Sequence, residues 1–198
     1  MLNSVELQTL RKKLAEYEGS IPHMYLDSKG LVTVGTGHLI TTIIEAKKLP
    51  FYKENNTKAT AEEIELDFNG VKKQPGNRLA SYYKRFTKFH LTSEDIDKLT
   101  NKHIDTFYKE IKTIYTGFDL FPSEVKLALL DIIFNVGMTD LKNRWPSLNK
   151  AIAVKDWATA AKESNRKAPV SAARNKYVRD LFEKADKDKQ AKLKLSKP

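Results

Sequence analysis

Residues 18 to 38 read Glu18-Gly-Ser-Ile-Pro-His-Met-Tyr-Leu-Asp27-Ser-Lys-Gly30-Leu-Val-Thr33-Val-Gly35-Thr-Gly37-His38. Upstream, Val5, Leu7, Leu10, Leu14 and Tyr17 recur at helical spacing behind Asn3 or Ser4, either of which can cap a helix. Gly19 and Pro22 end that helix near Glu18. Two short runs rich in β-branched and aromatic residues follow, 23–26 and 31–34, with Asp27-Ser-Lys-Gly30 between them. That is a hairpin signal, with Gly30 free to take positive φ. Gly35 and Gly37 then allow sharp bends or a close approach of backbone. A carboxylate is thus expected at a helix end, a second at a turn, and the Thr33 hydroxyl on the far strand.

Downstream, helical patterns dominate. Thr41 or Thr42 opens a short helix to Lys48, stopped by Pro50. Thr60-Ala-Glu-Glu63 matches a capping box, and Asn69-Gly70 is expected to end its helix. Pro75-Gly76-Asn77 is a turn, and the basic, aromatic run from Leu79 to Phe89 reads as helix. From Thr92, the residues Ile96, Leu99, His103, Ile104, Phe107, Ile111 and Ile114 form one face of a long helix that Gly117 ends. Phe121-Pro122-Ser123 opens another, apolar enough for central burial and stopped at Asn135-Val-Gly137. Pro146-Ser147 starts a further helix, 157–162 is a short Ala-rich one, and 171–183 is the last. Past Ala185 the Lys-, Asp- and Gln-rich tail is expected to fray. The fold class is α+β, predominantly helical, with one small N-terminal sheet.

Composition excludes several classes of function. At 198 residues, 40% hydrophobic and 30% charged, the chain is globular rather than disordered. No apolar run approaches the ~20 residues of a membrane span. No apolar signal core follows Met1, so synthesis in the cytoplasm without a signal peptide is the expectation. Without cysteine there is no disulfide, thiolate ligand or thiol nucleophile. His23, His38, His90 and His103 show no zinc spacing, no Gly-x-Ser-x-Gly is present, and the Gly35-x-Gly37 pair lacks the third glycine of a dinucleotide loop. No metal and no cofactor are expected. The net charge of +10 favours a polyanion, whether nucleic acid, anionic lipid or an acidic cell wall, or serves solubility alone. Nucleic acid is disfavoured, because the aromatics sit at helical core spacing rather than on a stacking platform.

Two carboxylates and a hydroxyl carried by one hairpin suit hydrolysis of a glycosidic bond. That reaction needs a proton for the leaving oxygen and a second carboxylate to steady positive charge, attack, or activate water. Spacing alone does not choose between this chemistry and a solvated helix-terminal Glu18 with a solvated turn Asp27. His38 reads as a hydrogen-bonded structural histidine, and Phe134, at the end of an apolar helix, reads equally as core.

The whole string Glu-x8-Asp-x2-Gly-x2-Thr-x-Gly-x-Gly-His resembles, without a gap, the active-site segment of phage-type lysozymes, the glycoside hydrolases of T-even phage endolysins. Phe134-Asn-Val-Gly137-Met-Thr139, followed by Ser147-Leu148, resembles that family's cleft wall. Trp157-Ala-Thr-Ala160-Ala161 and Arg174 with Val178 and Phe182 are similar to its later helices. The resemblance covers roughly 5–48 and 91–183, and the segment 50–90 is longer than in compact members. It implies Glu18 as general acid, Asp27 as second carboxylate and Thr33 as water-positioning hydroxyl. Gly30, Gly35, Gly37 and His38 would shape the site. Leu39, Phe134 and Ser147 would line the sugar cleft. Glu163 stands where the family tends to offer an Asn, with Asn165 nearby as the alternative.

The fold so implied is one lysozyme-like domain over 1–185. Its N-terminal lobe spans about 15–92, a connecting helix about 93–115, and a C-terminal lobe about 116–185, with helix 3–17 packed on that lobe and a basic tail at 186–198. The implied activity is a muramidase cutting the β-1,4 bond between N-acetylmuramic acid and N-acetylglucosamine in peptidoglycan glycan strands. A lytic transglycosylase and a non-catalytic wall-binding module are the alternatives. The chain is expected to be a monomer. It would reach the periplasm or wall by holin-type release, as an endolysin, or by injection, as an effector domain with a cognate immunity protein.

Overall fold

The structure, a computed structural model, describes residues 1–195. Two compact units emerge, Arg11–Lys102 and Met1–Leu10 with His103–Pro198. The divisions fall inside two helices, α1 (Ser4–Glu18) and α5 (Ser93–Ile114).

In the unit Arg11–Lys102, α1 ends where expected and the chain turns into a three-stranded antiparallel sheet of β1 (Ile21–Leu26), β2 (Val32–Gly35) and β3 (His38–Leu39). The hairpin register sets Tyr25 opposite Thr33 and Leu26 opposite Val32, with an irregularity between Ile21 and Tyr25. Thr33 in turn pairs with Leu39, and Val34 with His38. The third strand was not anticipated; the tight bend over 35–37 folds the chain straight back along β2. Gly35 sits at φ +64°, and a Cβ there would stand 3.3 Å from Ile96 Cγ2. Only glycine accepts both that backbone conformation and that approach to α5.

Helix α2 (Ile43–Lys47) is capped by Thr42, whose hydroxyl accepts from the Glu45 N–H. The capping box at Thr60 and Glu63 opens α3 (Ala61–Lys72) as expected. Asn69-Gly70 does not end α3. Gly70 lies inside the helix because a Cβ would meet the Phe86 carbonyl oxygen at 3.3 Å, so it is a close-packing residue rather than a cap. The run 79–89 is also less helical than expected. It forms only α4 (Ala80–Tyr83) and a 3₁₀ turn (Lys84–Phe86), then extends into a bridge between His90 and Tyr52. Asp67, buried on α3, draws this segment in by accepting from the Lys88 and Phe89 N–H groups at 2.7 and 3.1 Å. Met24, Leu26, Val34, Phe51, Phe68 and Tyr83 close the core beneath the sheet.

In the other unit, Ile104 and Ile111 of α5 are buried. Gly117 ends that helix at φ +76°. Helix α6 (Ser123–Arg144) has Val125, Ala128, Leu129, Ile132 and Ile133 fully buried. Gly137 breaks its hydrogen-bonded course with φ 77° and ψ 165°, a conformation open to glycine alone. The helix stops there as expected, but helical residues resume at once and run to Arg144, which the sequence reading missed. Helices α7 (Pro146–Ala153) and α8 (Trp157–Glu163) follow, the latter capped by the Asp156 carboxylate on the Thr159 N–H. Helix α9 (Ala172–Leu195) overturns the expectation of a frayed tail past Ala185. Residues 186–195 are Lys, Asp, Gln, Ala and Leu, with no glycine or proline to stop propagation. The rest of that basic tail, 196–198, lies outside the described residues.

Candidate active site

Glu18 is the last residue of α1 and is half-buried. The Gly19 N–H donates back to the Ala15 carbonyl, and Gly19 at φ +80° turns the chain into β1. Glu18 is thus held at a fixed helix end, not in a loop.

Asp27 follows β1 and closes the hairpin. Its Oδ1 accepts from the backbone N–H of Lys29 at 2.8 Å and of Leu31 at 2.9 Å. Its own N–H donates to the Leu31 carbonyl, and the Gly30 N–H to the Asp27 carbonyl. Gly30 takes the positive φ this turn needs. Asp27 therefore has a structural task whatever its chemistry, and that task orients the carboxylate. Oδ2 takes no part in the turn.

Thr33 is buried in the middle of β2, and its hydroxyl donates to the Leu31 carbonyl at 3.1 Å. The proton is committed there, so Oγ1 meets any further partner through its lone pairs. Leu39, opposite Thr33 on β3, is 39% exposed. His38 is half-buried beside it, and Gly37 forms the bend before it at φ +71°.

The sheet register lines up Tyr25, Thr33 and Leu39 across three strands, and alternation puts Asp27 on the same face as Tyr25. The Tyr25 phenol is pushed up to about 12, first by burial, then by the charges of Asp27 and Glu18. The register places Thr33 opposite Tyr25, and Asp27 closes the same hairpin that Glu18's helix leads into. The sequence reading missed Tyr25. Period-two alternation back from Asp27 was the signal that could have found it.

Phe134, Ser147 and Glu163 belong to the other unit. Phe134 is half-buried, its ring 5.4 Å from Phe107 and 6.3 Å from His103, centre to centre, so it is packed in an aromatic cluster rather than sealed in the core. Ser147 is exposed in the first turn of α7. Glu163 is exposed at the end of α8, and Asn165 is exposed just past it. Among the described residues, no three His, Asp or Glu side chains are grouped so as to hold a metal ion.

Comparison with known proteins places these residues in a wider context. A family model described as phage lysozyme matches residues 15–183. "Probable T4-type lysozyme 1" of Dictyostelium discoideum is 29% identical over 163 residues, covering 79% of this chain and 82% of that protein. "Probable T4-type lysozyme 2" of the same organism is 29% identical over 160 residues, with the same coverage of each chain.

Proposed function

Because the chain belongs to the phage lysozyme family, a family of peptidoglycan hydrolases, we propose that it is a muramidase with Glu18, Asp27 and Thr33 as its reacting groups. It hydrolyses the β-1,4 bond between N-acetylmuramic acid and N-acetylglucosamine. Glu18 delivers a proton to the leaving glycosidic oxygen from the rigid end of α1. Asp27, fixed through Oδ1, turns Oδ2 to the reaction. Thr33, whose hydroxyl donates to the Leu31 carbonyl, accepts a hydrogen bond from the attacking water, and Asp27 takes the water's other proton as the water oxygen bonds to the anomeric carbon. Two acceptors on one water favour direct attack and inversion at the anomeric carbon over a covalent glycosyl intermediate.

The observation that supports this reading is that one short segment carries all three groups in fixed backbone settings: Glu18 ends α1, Asp27 closes the hairpin through Oδ1, and Thr33 is buried in β2 opposite Tyr25. Leu39, Phe134, Ser147 and Glu163 are assigned to the glycan by family resemblance, each tested by its effect on KM when changed to Ala.

The experiment is turbidity clearing of purified cell wall by wild type and Glu18→Gln. The variant keeps its circular dichroism and loses on the order of 10² to 10⁴ in rate. Clearing by the variant at near wild-type rate removes Glu18 from the mechanism. Mass spectrometry of the products tests the reaction type: hydrolysis leaves reducing ends, whereas anhydromuramyl ends mean a lytic transglycosylase.

A further inference from the structure

We propose that the surface formed by residues 72–88 docks the protein on a lipid bilayer rich in anionic phosphate headgroups. Such docking is separate from glycan cleavage and does not depend on it. Between Asp67 and Glu94 the chain has no acidic residue, and it has six basic ones: Lys72, Lys73, Arg78, Lys84, Arg85 and Lys88. All six are exposed, and none enters an ion pair among the described residues. The basic stretch at the end of α9 differs. There Lys184 pairs with Glu124, and Asp186 and Asp188 stand among the lysines.

The backbone that presents these cations is pinned, all within the unit Arg11–Lys102. Asp67 holds the N–H groups of Lys88 and Phe89. Gln74 Nε2 donates to the Gly70 carbonyl at 2.8 Å, and the hydroxyl of buried Tyr83 donates to the Pro75 carbonyl at 2.8 Å. The close approach of Gly70 to the Phe86 carbonyl sets the end of α3, with Lys72 and Lys73, against the 3₁₀ turn that carries Lys84 and Arg85. The guanidinium carbons of Arg78 and Arg85 stand 5.8 and 4.9 Å from the centre of one ring, Tyr82. Lys84 and Lys88 line an open pocket of about 350 Å³ with His23 and His90, and Glu54 is the carboxylate in that lining. His23 Nε2 lies 2.9 Å from the Ala80 carbonyl, which ties the pocket to the first turn of α4. Like charges held this close repel one another, and phosphate groups from outside relieve that repulsion.

Leu79 chooses the occupant. It is 81% exposed and stands beside Arg78 at the start of α4. A soluble polyanion offers nothing to that side chain. A bilayer does: the leucine enters the boundary between headgroups and acyl chains while the arginines and lysines around it reach the phosphates. A nucleic acid strand would stack on an open ring. Tyr82 is half-buried beneath two guanidinium groups, and Tyr83 has no exposed surface.

The test is co-sedimentation of the full chain with vesicles of equal parts phosphatidylglycerol and phosphatidylcholine at low ionic strength, with circular dichroism as a check of folding. Wild type is expected to bind these vesicles and not pure phosphatidylcholine; binding to neither overturns the assignment. Arg78→Glu/Arg85→Glu should lower the partition coefficient at least about thirtyfold, since each cation near an anionic leaflet strengthens binding about fivefold. Lys187→Glu/Lys194→Glu, the same change of net charge on exposed lysines of α9, should lower it less than about threefold. Equal losses in the two variants would mean that net charge alone acts, and the assignment falls. Leu79→Ser should weaken vesicle binding about threefold while binding to duplex DNA stays at the wild-type level; no loss on vesicles would make the surface a site for soluble polyanions and refute a lipid one. Should the charge reversal fail to fold, Arg78→Gln/Arg85→Gln is expected to lower partitioning about tenfold, with no change as the refuting result. Clearing of purified wall, which holds no bilayer, stays at the wild-type rate in each variant. A parallel loss there would assign the stretch to glycan cleavage instead.

Discussion

Removing the Asp131 carboxylate is expected to be the most damaging single change in the unit that contains α6 to α9. Asp131 has no exposed surface, and it faces two arginines that are themselves 2% and 5% exposed. Arg166 Nη1 lies 2.8 Å from Oδ1, and Arg174 Nε lies 3.1 Å from each oxygen. Asp131→Ala leaves both guanidinium groups buried without their counter-charge, a loss of about 3–5 kcal/mol. At this chain length each kcal/mol moves Tm by roughly 2–4 °C, so Tm should fall by about 6–20 °C. Trp157, 2% exposed in the same unit, reports its unfolding by fluorescence in a urea titration. The control is Asp180→Ala, which breaks the exposed i,i+4 pair with Lys176 at 2.6 Å and should cost under ~0.5 kcal/mol. Asp131→Asn, which keeps an acceptor but loses the charge, should fall between the two. If Asp131→Ala costs no more than Asp180→Ala, the triad does not hold α6 to α9 and the reasoning is wrong.

Three further outcomes are expected. Asp27→Asn and Glu18→Gln should each bring the ionisation of Tyr25 down from about 12, read as tyrosinate absorbance against a Tyr25→Phe background; an unmoved curve in both would mean the carboxylates do not converge on that phenol. Gly35→Ala should lower stability by about 1–3 kcal/mol in thermal melts, since the new methyl meets Ile96 in a backbone conformation that L residues resist; a wild-type Tm would contradict this. Asp119 is held down to about 2 by hydrogen bonds from Lys112 and then Tyr108. A folded value depressed from 3.8 means its contribution is present above that pH and is lost as pH falls toward 2. The stability gap between wild type and Asp119→Asn should therefore be widest above pH 4 and shrink toward pH 2, and a gap that widens on acidification would reverse the sign of the argument.

Some of the site was legible early because short-range rules set it. The turn residues Asp27 and Gly30 close a hairpin through hydrogen bonds that span four residues, so their pattern is visible in a window of that length. The caps at Thr42 and Thr60 are equally local. Misreadings arose where a distant partner decided the outcome. Gly70 looked like a helix end because glycine commonly ends helices, but the Phe86 carbonyl, sixteen positions on, explains it. The run 79–89 has helical composition, yet Asp67 captures the backbone at Lys88 and Phe89 and pulls it straight. The tail read as loose because charge suggests solvation, whereas an uninterrupted set of helix formers continues a helix already nucleated by packing.

What the sequence determined alone is most of the helices and their starts, the hairpin that carries Asp27 and Thr33, and the family to which that string points. Each follows from local periodicity, capping and turn chemistry, which act over a few residues. Tertiary structure decided that Tyr25 lies opposite Thr33 and that the Thr33 hydroxyl donates its hydrogen bond to the Leu31 carbonyl. It also decided that Lys84 and Lys88 line one pocket with His23. Those are facts of register and of packing between elements far apart in the chain. A strand shifted by one residue would keep every local pattern and turn the same side chains to the opposite face.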